Sequence, residues 1–232
     1  LWSEKYIYNS DGKIEKIIDS DENNIIYEYD LAGRIVEVNY FRNNENWFEK
    51  FSYDNNGNRI METNPLEEVY YEYDAENTLI SKTTKAGTTT YVTDVNNSLS
   101  QVLESFSKDK LGKYYDKSNY IYGTGLLYEN DKNNTDNTKF YHYNNLGSTT
   151  KLTNQSGEIV EKYTYGTYGE LLSGDSGKTE YLYNGMYGVR TDENGLYHMR
   201  ARFYNTEIKR FINQDVLIGS IGNSNSLNRY SY

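Results

Sequence analysis

The strongest constraint in this chain is a recurring position that accepts only glycine or asparagine. Units opening on an aromatic residue, most of them Tyr-x-Tyr, begin at Tyr6, Tyr27, Phe51, Tyr71, Tyr91, Tyr141 and Tyr163. The first five are spaced by 21, 24, 20 and 20 residues. The seventh residue of each unit is Gly12, Gly33, Gly57, Asn77, Asn97, Gly147 and Gly169. Glycine and asparagine are the residues that most readily adopt positive φ, so this position is predicted to be left-handed. The fourth residue is Asn9, Asp30, Asp54, Asp74, Asp94 or Asn144, with Gly166 as the exception. An Asx residue capping a type I turn, followed three places later by a left-handed residue, makes a bulged hairpin loop. Each unit therefore reads as a β-hairpin.

The flanks agree. Positions one and three share one face of the incoming strand. Position nine is Ile14, Ile35, Leu79, Leu99 and Leu171 in five units; Arg59 and Thr149 depart from this, and in the third unit the apolar Ile60 follows one place later. A lone two-stranded hairpin is marginal in water, whereas stacked hairpins pair their edges and lay tyrosine beside tyrosine. The expected fold is all-β: stacked antiparallel hairpins in a curved or spiralling single-layer sheet. Regular repeats are assigned to residues 1–111 and a less regular region to 112–232. "NNSLSQVLESF", residues 96 to 106, is the one stretch with an apolar stripe at helical period. "ENDKNNTDNTK", residues 129 to 139, reads as a polar loop between two hairpin-like segments, and the single proline, Pro65, lies between units.

Tyrosine accounts for 27 of the 232 residues and the apolar fraction is 36%. A thick aliphatic core is not expected. Tyrosine suits a half-wet sheet, because its ring buries area while its hydroxyl stays hydrogen-bonded. It suits an aromatic sugar-binding surface equally well, and composition leaves both open. The formal charge of −10 excludes polyanion binding by net electrostatics, so no nucleic-acid partner is expected. Without cysteine there is no disulfide framework and no thiolate metal site. His142 and His198 are too few to build a metal centre, and the Asx turns lack the ligand spacing of an EF-hand. Gly123 and Gly125 form no nucleotide fingerprint. No metal or cofactor is expected, nor does any long uncharged apolar run suggest a membrane span. A chain opening on Leu1 reads as a piece of a longer polypeptide.

"YEYDLAGRI" and its copies resemble the Tyr-Asp (YD) repeats of Rhs proteins, teneurins and the TcC subunits of insecticidal toxin complexes. "YHYNNLGSTTKLTNQSGEIVEKYTYGTYGEL", residues 141 to 171, resembles the Rhs repeat-associated core. So do "YNGMYGVRTDENGLYHMRARFYNTEIKRFINQD", residues 183 to 215, and the closing "NRYSY". The resemblance covers essentially the whole chain, and "GLYHMRARFY" followed by "RFINQD" is its most specific part. It implies a strand ribbon forming a hollow shell that holds a C-terminal toxic polypeptide of the same chain, with further YD repeats upstream, in a secreted or cell-surface bacterial protein.

The resemblance also implies an aspartic-protease-like site that cuts the parent chain once. Arg202 matches the essential arginine and Asp215 the first aspartate. The second aspartate belongs to a D-P-x-G-L segment beyond the match to "NRYSY", and these 232 residues stop short of it. Two neighbouring carboxyls divide acid and base roles because both cannot ionise easily. The 232 residues alone are therefore expected to cleave nothing. Asn205 and Thr206 stand where the family has Asp-Pro, Lys209 where Gly is common, and Val216 where Pro is common. The plain alternative for Arg202 and Asp215 is a cross-strand arginine and a turn-ending aspartate. The competing function is a carbohydrate or cell-wall binding module, although such repeats favour other aromatic patterns and Trp2 and Trp47 are the sole tryptophans. Open sheet edges would also permit edge-to-edge self-association.

Overall fold

The structure, a computed structural model, describes residues 3–96, 99–132, 137–215 and 229–230. Fifteen strands follow chain order through one antiparallel sheet that does not close on itself. They are β1 (Glu4–Tyr8), β2 (Ile14–Asp19), β3 (Asn24–Tyr29), β4 (Ile35–Arg42), β5 (Glu45–Tyr53), β6 (Arg59–Thr63), β7 (Glu68–Tyr73), β8 (Leu79–Thr83), β9 (Thr88–Asp94), β10 (Gln101–Lys108), β11 (Tyr114–Tyr122), β12 (Leu126–Asp131), β13 (Lys139–Tyr143), β14 (Thr149–Thr153) and β15 (Ile159–Lys162). A two-stranded sheet, β16 (Thr164–Tyr165) with β17 (Leu171–Ser173), comes next. A four-stranded sheet then combines β18 (Arg190–Thr191), β19 (Tyr197–Met199), β20 (Arg202–Asn205) and β21 (Arg210–Phe211). The chain divides into two compact units: residues up to Tyr71 with the described residues from Ile212 onward, and Glu72–Phe211.

Five of the aligned units carry the same bulge. The ladder slips between positions two and three, so that position three pairs with position nine: Tyr8 with Ile14, Tyr29 with Ile35, Tyr53 with Arg59, Tyr143 with Thr149 and Tyr165 with Leu171. Burial then alternates along the strands as a period of two requires. In β7, Val69 and Tyr71 are buried while Glu68, Tyr70 and Glu72 are exposed. The first-position aromatics Tyr27, Phe51 and Tyr71 line the interior of the first unit, and Tyr91, Tyr141 and Tyr163 that of the second.

Residues 101–108, which include most of the stretch with the short helical stripe, form β10, with Val102, Ser105 and Ser107 buried and a bulge between Val102 and Glu104 in its pairing with β9. Two expectations need correction. The loop expected at 129–139 begins later, since β12 runs to Asp131 and β13 starts at Lys139. In the third repeat Ile60 does not replace the apolar ninth residue: Ile60 is exposed and Arg59 is fully buried. The Arg59 guanidinium lies 4.4 Å from the Tyr71 ring centroid and 3.1 Å from Glu62 Oε2, which makes the buried charge tolerable.

Candidate functional site

The repeated turn is the local structure on which everything else is placed. At Asp30 the turn is closed by Gly33 N–H donating to the Asp30 carbonyl at 2.9 Å and Asp30 N–H donating to the Arg34 carbonyl at 3.0 Å. The Asp30 carboxylate accepts from Arg34 N–H and from Arg34 Nε. Asn9, Asp54, Asp74 and Asn144 repeat the backbone pattern. The predicted left-handed residues have φ of 73° (Gly12), 83° (Gly33), 89° (Gly57), 64° (Asn77), 81° (Gly147) and 91° (Gly169). Asn97 lies outside the described residues. Gly166 lacks an Asx side chain, and Glu170 supplies the missing acceptor by taking the Tyr168 N–H at 2.9 Å. A Cβ at Gly166 would stand 2.4 Å from that carboxylate, which explains the exception.

The third-position tyrosine joins one unit to the next. Pairing between consecutive units starts two residues beyond position nine, at Lys16, Glu37, Tyr128 and Lys151. The ninth-position carbonyl therefore has no strand partner on that side. A tyrosine hydroxyl of the next unit donates to it instead: Tyr29 to Ile14, Tyr53 to Ile35, Tyr143 to Leu126 and Tyr165 to Thr149, at 2.5 to 2.8 Å. Burial pushes the Tyr53 and Tyr143 hydroxyls far above the usual tyrosine value, which keeps them protonated donors. Position eight adds cation–π contacts, with Arg34 at 4.7 Å over Tyr53 and Lys13 Nζ 5.5 Å from the Tyr29 ring. Leu126 belongs to the hairpin-like segment before the polar loop, "YIYGTGLLYE", which falls outside the aligned units because it lacks the Asp-x-x-Gly turn. Asp19, Asp109, Asn154 and Asp192 are turns missed for the opposite reason: they follow strands without the Tyr-x-Tyr start.

Two stretches of the core-like region dock on these turns through main-chain atoms. In the Glu72–Phe211 unit, Thr149 N–H donates to the Leu182 carbonyl at 2.9 Å, Met186 N–H to the Gly147 carbonyl at 3.0 Å, and Thr149 Oγ1 to the Tyr181 carbonyl at 2.6 Å. In the other unit, Ile35 N–H donates to the Ile212 carbonyl at 3.0 Å, and Asn213 Nδ2 to the Gly57 carbonyl at 3.1 Å. The Tyr230 hydroxyl and the Gln214 amide both donate to the Ala32 carbonyl. The ninth-position amide is the shared anchor.

Arg202 and Asp215 fall in different compact units, and each has its own setting. Arg202 stands in β20 with its guanidinium 3.7 Å from the Phe211 ring centroid. Asp215 N–H donates to the Arg229 carbonyl at 2.9 Å, and the Asp215 carbonyl accepts from Arg229 Nε at 2.8 Å and from Nη2. The "RFINQD" and "NRYSY" motifs thus meet through Asp215 and Arg229. Lys209, where glycine was expected, adopts φ 58°. Among the described residues no group of three His, Asp or Glu side chains is placed to hold a metal ion, and no helix is long and apolar enough to cross a membrane.

No family model matches the chain. The tRNA3(Ser)-specific nuclease WapA of Bacillus spizizenii is 26% identical over 257 residues, covering 98% of this chain and 10% of that protein. The tRNA nuclease WapA of Bacillus subtilis is 25% identical over 254 residues, with the same coverage. All of this chain superposes on 16% of the chain in the TcdB2-TccC3-Cdc42 crystal structure, with a TM-score of 0.52 and 13% identity. It matches TcdB2-TccC3 without its hypervariable C-terminal region equally well, with a TM-score of 0.52 and 12% identity. In sequence and in fold the chain is similar to these proteins, in keeping with its resemblance to the YD-repeat (Rhs) family. It spans about a tenth of the length of the WapA proteins it matches. In this chain the Tyr-Asp repeat is a turn cap at position four and an inter-unit hydroxyl donor at position three.

Proposed function

We propose that this chain is a wall segment of a YD-repeat shell, enclosing a toxic polypeptide carried further along the same parent chain. The observation that carries this reading is the open sheet whose described units are joined by backbone pairing and, at four joints, by a tyrosine hydroxyl, a wall that extends by adding units. The likeness to WapA nucleases and to TcdB2-TccC3 supports it. Among the described strands, β1 and β15 each pair with one neighbour, so the wall can continue at either end. The same edges could pair with a second copy, which sedimentation of the isolated chain would detect. A secreted or cell-surface setting follows from the toxin reading.

The carbohydrate alternative draws less support, because six of the seven first-position aromatics that would stack on sugar rings are buried. In the parent, Arg202 and Asp215 are assigned to release of the cargo by a single self-cleavage, with a second carboxyl completing the acid–base pair. Expressed in the parent, Asp215→Asn is expected to leave the chain uncut, with the cargo resistant to added protease. Normal cutting by that variant overturns the catalytic assignment. A cargo digested as fast as a free polypeptide overturns enclosure.

A further inference from the structure

A guanidinium has five N–H donors and no acceptor, so any nitrogen it meets at hydrogen-bonding distance must accept. In the Glu72–Phe211 unit Arg190 Nη2 lies 3.3 Å from His198 Nδ1, and both residues are 7% exposed. The pair faces across β18 and β19, where Arg190 is in register with His198. His198 is therefore neutral here, with its proton on Nε2. A proton on Nδ1 would put two cationic groups in contact inside a buried sheet. Phe203, whose ring lies 4.6 Å from the imidazole, offers no counter-charge.

Arg190 also ties the small sheet to the large one within this unit. Its guanidinium sits 3.9 Å from the Tyr91 ring centroid in β9. Just after β18, Asp192 pairs with Lys82 of β8 at 3.0 Å, and Glu193 lies 3.7 Å from the same ammonium. Thr191 N–H donates to the Glu180 carbonyl at 2.6 Å. Glu180, Tyr181, Tyr122 and Asp192 also act electrostatically on Arg190. Glu180 in turn feels Lys82 and Glu129, and it acts on Tyr120.

From this geometry we infer that His198 is an acid-sensitive latch: its neutral ring holds Arg190, and with it the β18–β19 hairpin, against β8 and β9, and its protonation releases that hairpin. The closed state excludes the ring proton while the open state accepts it, so opening grows as pH falls below about 6.5. Glu180 acts in the opposite direction. Burial pushes its carboxyl up, only partly offset by Arg190 and Lys82, so proton uptake there favours the closed state. Opening should therefore rise first and level off in stronger acid.

Hydrogen exchange of the peptide covering residues 190–205, corrected for the intrinsic pH dependence, reads this directly. Between pH 7.5 and 5.5 its opening is expected to increase roughly tenfold, since one fully coupled proton changes the equilibrium tenfold per pH unit. His198→Asn keeps an acceptor for Arg190 and cannot be protonated; its opening should be flat with pH, while His142→Asn keeps the full response. A flat wild-type profile, or an undiminished slope in His198→Asn, overturns the latch. If His198→Asn does not fold, nitrogen NMR of the unmodified protein decides, because only two histidines contribute. A bare Nδ1 on His198 at pH 7.5, gaining its proton together with exchange at residues 190–205, supports the latch. A protonated Nδ1 at pH 7.5 overturns it.

Discussion

At the scale of single residues, the turn position separates two costs that a glycine can relieve. Gly12 has φ 73° and open space where a Cβ would stand. Gly147 has φ 81°, but its Cβ would fall 2.4 Å from the Tyr187 ring. Gly12→Ala should therefore lose only the conformational term, about 1 kcal/mol. Gly147→Ala should lose that and an overpacking term, roughly 2–4 kcal/mol in all. Urea unfolding of the two variants measures the difference, and equal losses would show that the docked segment does not press on the turn. This position was legible in the sequence because glycine and asparagine share one backbone property. The buried Arg59 was not legible, since one partner, Tyr71, comes from the neighbouring strand β7 while Glu62 is on β6 itself.

At the scale of the element, the hairpins are held side by side by hydroxyls as well as by ladders. Tyr53→Phe and Tyr143→Phe keep the ring and remove the donor, leaving a ninth-position carbonyl without that partner. Each should cost about 1–2 kcal/mol by urea unfolding. Tyr8→Phe, at a 59% exposed position of β1, should cost under about 0.5 kcal/mol. If all three variants unfold at the wild-type midpoint, the hydroxyls do not join the units. Hairpin existence and strand alternation were readable from the repeat, because turn chemistry and burial period are local. The stretch at 101–108 carries a short stripe of helical period as well, and pairing with β9 and β11 on either side makes it a strand. Docking of Leu182 and Ile212 was invisible for a different reason: carbonyl-to-amide contacts carry no side-chain signature. Arg202 and Asp215 were found through motif resemblance alone.

At the scale of the whole molecule, a tyrosine-built interior has a predictable weakness at high pH. Burial raises Tyr91, Tyr120, Tyr141 and Tyr181 above the ordinary value and pushes Tyr122 up to about 12. Raised groups stay protonated in the folded chain while the unfolded chain ionises near pH 10, so stability is intact below that value and falls as pH rises through 10 to 12. Tyrosinate absorbance and loss of β circular dichroism should therefore appear together. Smooth ionisation near pH 10 with the sheet intact would refute burial of these rings. The shell role itself is tested most directly by cryo-electron microscopy of the parent protein. The expected map shows β1 to β15 as consecutive strands of a continuous wall, with polypeptide density enclosed behind it. A solid globule, or a cargo segment lying free outside the sheet, would contradict it.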